Sequence, residues 1–134
     1  MLLYQTLVAA DALDRVVVTS KDLKFLETLR NIDEEIKLGY DPSLDPYPPN
    51  SEEMDAFIDY LEKIVRDLRL SLLCIPERLA FLLIESGIVD GVVQKMKELG
   101  CVISVWTIND GGKVKILNSH GFLVTTDLLL SGEE

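Results

Sequence analysis

The sequence predicts an α/β fold: a parallel sheet of about five βα units in one domain over residues 1–134. Two observations predict it. Short apolar runs rich in β-branched residues alternate with segments whose apolar residues recur every three or four positions. The short runs are apolar on nearly consecutive positions, as in parallel strands that helices cover. Right-handed crossovers follow from that arrangement.

Each element has its own signal. Residues 1–13 place Leu3, Leu7 and Ala10 at helical spacing, and Ala9, Ala10 and Ala12 favour helix. Arg15-Val16-Val17-Val18-Thr19-Ser20 is a β-branched run of strand length. Lys21 to Ile32 returns to helical period, with Leu23, Leu26, Leu29 and Ile32 on one stripe. Glu35 to Tyr40 alternates Ile36, Leu38 and Tyr40, as a short strand does. Residues 41–50 hold Pro42, Pro46, Pro48 and Pro49 and predict a stiff, proline-rich loop. Ser51 then suits a helix N-cap, and Glu52 and Glu53 favour the positive end of the helix dipole. The helix it opens, through residue 69, carries Met54, Phe57, Ile58, Leu61, Ile64, Val65 and Leu68 on one face.

Leu70 to Ile75 reads as a buried strand. Pro76 suits the first turn of a helix through Ile84, which Gly87 stops. Val89, Val92, Val93, Met96 and Leu99 mark a further helix, closed by Gly100. Cys101 to Ile108 is a strand, Asn109-Asp110-Gly111-Gly112 a turn, and Lys113 to Ser119 a short helical piece. Phe122 to Thr126 is the last strand, and the tail 131–134 is expected to fray.

Composition narrows the function classes. The chain has 134 residues, 23 acidic and 13 basic, and a net charge of −10. With 48% apolar and 27% charged residues it is expected to be soluble and globular rather than disordered. The acidic surface argues against nucleic acid and anionic membranes as partners, because no basic patch offsets the repulsion. The longest apolar runs are about six residues, so no membrane span is expected. The first residues lack a basic stretch, so no secretory signal is expected. Cys74 and Cys101 sit in apolar surroundings. They predict buried, inert thiols and a reducing, cytoplasmic compartment.

A parallel α/β sheet places its sites at the carboxyl ends of the strands. That geometry selects Thr19 and Ser20; Gly39, Tyr40 and Asp41; Pro76 and Glu77; Trp106, Thr107 and Asn109; and Thr125, Thr126 and Asp127. Ser20 and Asp127 suit either site roles or helix N-caps, and Trp106 suits a pocket wall better than core filler. No glycine-rich phosphate cradle, nucleophile elbow, CxxC pair or pair of histidines is present. The one histidine, His120, precedes Gly121 in a turn at the opposite end of the sheet and is expected to be solvated. Most carboxylates read as solvated helix faces. Asp41, Asp45, Glu77 and Asp127 are the acids placed on the rim, where two or three of them could hold Mg²⁺ or Ca²⁺ through oxygen ligands.

The stretch Val102-Ile103-Ser104-Val105-Trp106-Thr107-Ile108-Asn109-Asp110, followed by Gly121-Phe122-Leu123-Val124-Thr125-Thr126-Asp127, resembles the C-terminal part of glycerophosphodiester phosphodiesterases. Upstream, Arg15 to Ser20, then Leu26-x-x-Leu29-Arg30, then Glu35-Ile36-Lys37-Leu38-Gly39 resembles the same family in the same order. There are departures. Lys21 stands where the family has Phe, Phe122 and Leu123 replace an Asp and a Gly, and segment 41–69 is longer.

The resemblance implies the C-terminal half of a (β/α)8 TIM barrel, with Trp106 walling the glycerol or head-group pocket and Asn109, Ser20 and Asp127 lining the same rim. It implies Mg or Ca as cofactor, but the family's paired histidines and acidic metal ligands have no counterpart here. The chain is therefore expected to be inactive alone. Its expected partners are a homo-oligomeric copy or a missing N-terminal half, with a small glycerophosphodiester as ligand. A non-catalytic binding or oligomerisation module derived from that fold is the alternative. A small doubly wound protein is a third reading, which a switch point in the strand order would reveal.

Overall fold

The computed structural model describes residues 17–42, 51–106 and 108–124, together with Gln5. The helix expected over 1–13, most of the proline-rich loop and the C-terminal tail lie outside the described residues. The described elements are β1 (Val17–Ser20), α1 (Leu23–Ile32), β2 (Lys37–Tyr40), α2 (Ser51–Leu68), β3 (Leu72–Pro76), α3 (Glu77–Glu85), α4 (Val89–Glu98), β4 (Val102–Trp106), α5 (Gly111–Ser119) and β5 (Leu123–Val124). None of these helices is long and apolar enough to cross a membrane.

The five strands form one sheet in the order β1-β2-β3-β4-β5, and every neighbouring pair is parallel. Spatial order thus follows chain order throughout the described sheet. A doubly wound sheet reverses its strand order at a switch point, and none occurs here, which corrects the third reading. Continuous winding in one direction is the topology of a TIM barrel.

In a parallel sheet, residues paired in register point to the same face. Val18, Leu38, Tyr40, Leu73, Ile75, Ile103, Val105 and Val124 share one face by this criterion. Six of these, all but the partly buried Val18 and Val124, are buried in the core with Leu26, Leu29, Leu61, Val65, Leu79, Leu83 and Met96 from the helices. The other face carries Val17, Leu72, Cys74, Val102, Trp106 and Leu123. There Val17 is 40% exposed, Val102 47% and Leu123 54%. The strands read as continuously apolar because both faces are apolar, yet the described helices cover only one.

Several boundaries differ from expectation, each for a capping reason. Asp22, not Ser20, is the N-cap of α1: its carboxylate accepts from the N–H groups of Lys24 at 3.0 Å and Phe25 at 3.3 Å. Ser20 Oγ instead accepts from the Asp22 N–H at 3.0 Å. Pro76 ends β3 and is the N-cap of α3 rather than its first residue. Asp110 caps α5 by accepting from Gly112 at 2.8 Å and Lys113 at 3.2 Å, so Gly111 and Gly112 belong to the helix and not to a turn. Gly100, after α4, has φ +82°, the left-handed conformation expected of a helix-ending glycine.

One core feature has no apolar signal. Arg30, on α1, is only 7% exposed. Its guanidinium donates to four carbonyl oxygens, those of Leu68 (2.8 Å), Arg69 (3.1 Å), Asp33 (3.1 Å) and Glu34 (2.7 Å). Burial, then the nearby Arg69, pulls its pKa down. The carbonyls belong to the ends of α1 and α2, where backbone acceptors lose their helical partners. Arg30 thus anchors the amino end of the sheet, opposite the expected site.

Candidate functional site

The carboxyl ends of the strands form the candidate rim. β4 ends on Trp106, which pairs in register with Pro76 of β3 and is 38% exposed. Beyond it, Ile108 is buried in the core and fixes the segment that carries the exposed Asn109 to Asp110, the cap of α5. Trp106 therefore stands on a short span held at both ends.

The next rim position is ionic. Glu77, at the start of α3, forms an ion pair with Lys113, at the start of α5. The Lys113 ammonium also lies 6.0 Å from the centre of the Phe81 ring. The Glu77 carboxylate raises the Lys113 pKa. This pair joins the segments that follow β3 and β4.

At β2, Tyr40 is buried and its hydroxyl is pushed up to about 12, chiefly by burial and then by Tyr60. Asp41 follows it, half-buried. Its N–H donates to Ser20 O at 3.0 Å, extending the ladder between β1 and β2. Burial raises the Asp41 pKa, and Lys21 opposes the rise. Gly39 sits on the open face beside Thr19; a Cβ there would lie 2.8 Å from Thr19 Oγ1.

The expected site residues distribute as follows. Ser20 and Trp106 both lie at the carboxyl end of the sheet. By register, however, Ser20 shares the helix-covered face with Tyr40, and Trp106 shares the open face with Pro76. Asn109 lies just past β4. Asp127 lies outside the described residues, as do Asp45, Thr107, Thr125 and Thr126. Thr19, Cys74 and Ser104 share the open face with Trp106, a grouping that strand ends alone do not give. Counting back by twos from Trp106, and one residue before Ser20, finds Ser104 and Thr19.

The described residues do not fit a divalent cation. Among them, no group of three or more His, Cys, Asp or Glu side chains converges for a metal ion. Of the rim acids that are described, Glu77 is held by Lys113 and Asp41 feels Lys21.

Other features lie away from this rim. A cavity of about 510 Å³ opens between α4 and the amino ends of β4 and β5, lined by residues that include Lys97, Cys101, Val102 and Gly121. In it, His120 Nδ1 lies 3.0 Å from Asp90 Oδ1. The turn histidine thus touches the Asp90 carboxylate of α4, and it sits at the opposite end from Trp106. Both cysteines are free, Cys101 buried and Cys74 half-buried.

No family model matches the chain, and no curated protein matches it in sequence. Solved structures match its fold. One is a glycerophosphodiester phosphodiesterase from Thermotoga maritima, with 25% identity and a TM-score of 0.61 over 97% of this chain and 53% of that one. Another is a glycerophosphodiester phosphodiesterase from Parabacteroides distasonis, with 16% identity and a TM-score of 0.68 over 98% of this chain and 47% of that one. A third, from Silicibacter pomeroyi and described as a glycerophosphoryl diester phosphodiesterase, has 21% identity and a TM-score of 0.68 over 93% of this chain and 39% of that one. This chain spans about half or less of the length of these proteins, and its fold is that of part of their barrel.

Proposed function

We propose that this chain is a glycerophosphodiester phosphodiesterase-like domain that forms the head-group side of the site, while hydrolysis depends on residues outside these 134. The observation that carries this reading is Trp106. It stands partly exposed at the carboxyl end of β4, where barrel enzymes place their sites, in a sheet whose fold matches such phosphodiesterases. In this role the indole walls the glycerol carbons, and Asn109 hydrogen-bonds a hydroxyl. Ser20 lies at the same end of the sheet but on the helix-covered face, with its Oγ bonded to the Asp22 N–H, so it stands outside this pocket wall. Metal-assisted hydrolysis needs an ion for phosphoryl charge and a base for the nucleophile. The described rim acids favour neither role, so the chain alone does not turn over. Two free cysteines agree with a reducing, cytoplasmic setting.

The open sheet face favours a second reading, a non-catalytic binding module that keeps the fold without the chemistry.

Trp106 is the only tryptophan in the chain, so its fluorescence reports the rim directly. Titration with sn-glycero-3-phosphocholine is expected to change that emission saturably. A parallel assay with Mg²⁺ or Ca²⁺ is expected to release no glycerol 3-phosphate. Metal-dependent turnover by the folded chain would overturn the division of labour, and unchanged emission would overturn the rim assignment.

A further inference from the structure

We propose that the cavity between α4 and the amino ends of β4 and β5 is a binding site for a small aliphatic monocarboxylate, separate from the rim that carries Trp106. This inference goes beyond the proposed function and does not depend on it.

The cavity has about 510 Å³, within the range of small-molecule sites. Two contacts hold its shape. Gly121, in the turn after α5, has φ +91°, and a Cβ there would lie 3.0 Å from Val93 Cγ1 of α4. A glycine therefore lets this turn rest directly on the helix. Beside it, His120 Nδ1 meets Asp90 Oδ1 at 3.0 Å and fastens the same turn to α4 across 30 positions of sequence. The space between turn, helix and strand is thus formed before any ligand enters.

The charges select the head group. Asp90 is engaged by His120. Lys97 lines the cavity too, seven positions along α4 and so about 10 Å further along its axis. Its ammonium takes part in none of the ion pairs among the described residues, whereas Lys95 is held by Glu62 and Lys113 by Glu77. One unmatched positive charge suits one negative charge. A dianion would bring a second, unmatched, into a chain of net charge −10.

The floor selects the body. It is made by Val93, by the buried Cys101 and Ile103, and by the exposed Val102. An aliphatic chain laid on these side chains leaves water together with them. The carboxylate pairs with Lys97, and the chain lies on Val93, Val102 and Ile103.

The chain has one histidine and one tryptophan, and each reports one end of the sheet. The test titrates the full chain with hexanoate, acetate and hexylammonium and follows the ring signals of both residues by NMR. Hexanoate is expected to shift the His120 signals saturably and leave those of Trp106 in place. It should bind at least about tenfold more tightly than acetate, which lacks the chain, or hexylammonium, which reverses the charge. Lys97→Met, at an exposed helix position, keeps the apolar stem and should weaken hexanoate about tenfold. Lys115→Met, at an exposed position of α5 outside the cavity lining, should leave it unchanged. No saturable His120 shift overturns the proposal. So does equal binding of acetate or hexylammonium, full affinity in Lys97→Met, or a hexanoate response at Trp106 instead. Titration with sn-glycero-3-phosphocholine decides the rim reading separately, so either reading can fail while the other stands.

Discussion

Arg30 Nε donates to the carbonyl oxygen of Leu68 at 2.8 Å, tying the end of α1 to the end of α2 across 38 positions of sequence. Three further carbonyls bond the same guanidinium. Arg30→Met keeps much of the volume and leaves those acceptors unpaired. Hydrogen bonds to charged groups are individually strong, and a stranded buried acceptor carries its full desolvation penalty. A loss of about 3 kcal/mol is expected, measured by urea denaturation. Arg30→Lys should recover only part, because an ammonium lacks the planar fork. A midpoint unchanged in Arg30→Met would refute the anchoring role.

Gly39 leaves room for Thr19. A Cβ at Gly39 would meet Thr19 Oγ1 at 2.8 Å and Leu72 Cβ at 3.3 Å. Gly39→Ala should destabilise by about 1–2 kcal/mol through overpacking. Adding Thr19→Ala removes the nearer clash, so the double variant should be more stable than the sum of the two single changes predicts. Additive effects would show that the strain lies elsewhere.

The thiols should be silent while the chain is folded. Burial, then Asp41, pushes Cys74 up to about 11; burial, then Cys74, pushes Cys101 up to about 12. A thiol reagent at pH 8 should modify neither at the rate seen in denaturant, where both react. The folded chain holds these protons longer than the unfolded one. Stability should therefore fall as pH rises through and above the ordinary thiol range. Rapid labelling of the folded chain would contradict the burial.

Asp41 should weaken the fold near neutral pH. Burial raises its pKa despite Lys21. Between the unfolded and folded values the native state binds more protons, so stability falls as pH rises through that window. Asp41→Asn should raise the melting temperature at pH 7, and the gain should vanish under acid conditions where both states are protonated. The backbone bond from residue 41 to Ser20 survives the substitution. A gain that persists in acid would point to a cause other than ionisation.

Trp106 should matter for ligand more than for folding. It is partly exposed at a strand end, so Trp106→Ala should keep the fold at a cost of about 1 kcal/mol. Binding of sn-glycero-3-phosphocholine, followed by saturation-transfer NMR, should disappear in Trp106→Ala and persist in Trp106→Phe. Equal binding by all three proteins would remove Trp106 from the site.

Local chemistry made much of the architecture legible. The three-and-four spacing from Met54 to Leu68 marked α2, because a helix must put its apolar residues on one stripe. β-branched and apolar runs marked the strands, and the resemblance around Trp106 placed them in a barrel-like order. Boundaries were less legible where a cap decides them. Asp22 and Asp110 each bond two amides, which shifted α1 and α5 from their expected starts.

The sequence by itself determined the alternation of elements, the parallel sheet and the acidic character of the chain, since each depends on residue type and near spacing. Only the tertiary structure decided the rest. The strand order that excludes a switch point depends on which distant segments pair. So does the register that puts Trp106 and Ser20 on opposite faces, because a shift of one residue reverses every side chain. So does the burial of Arg30, because the ends of two helices, brought together by packing, give its guanidinium four carbonyls to hold.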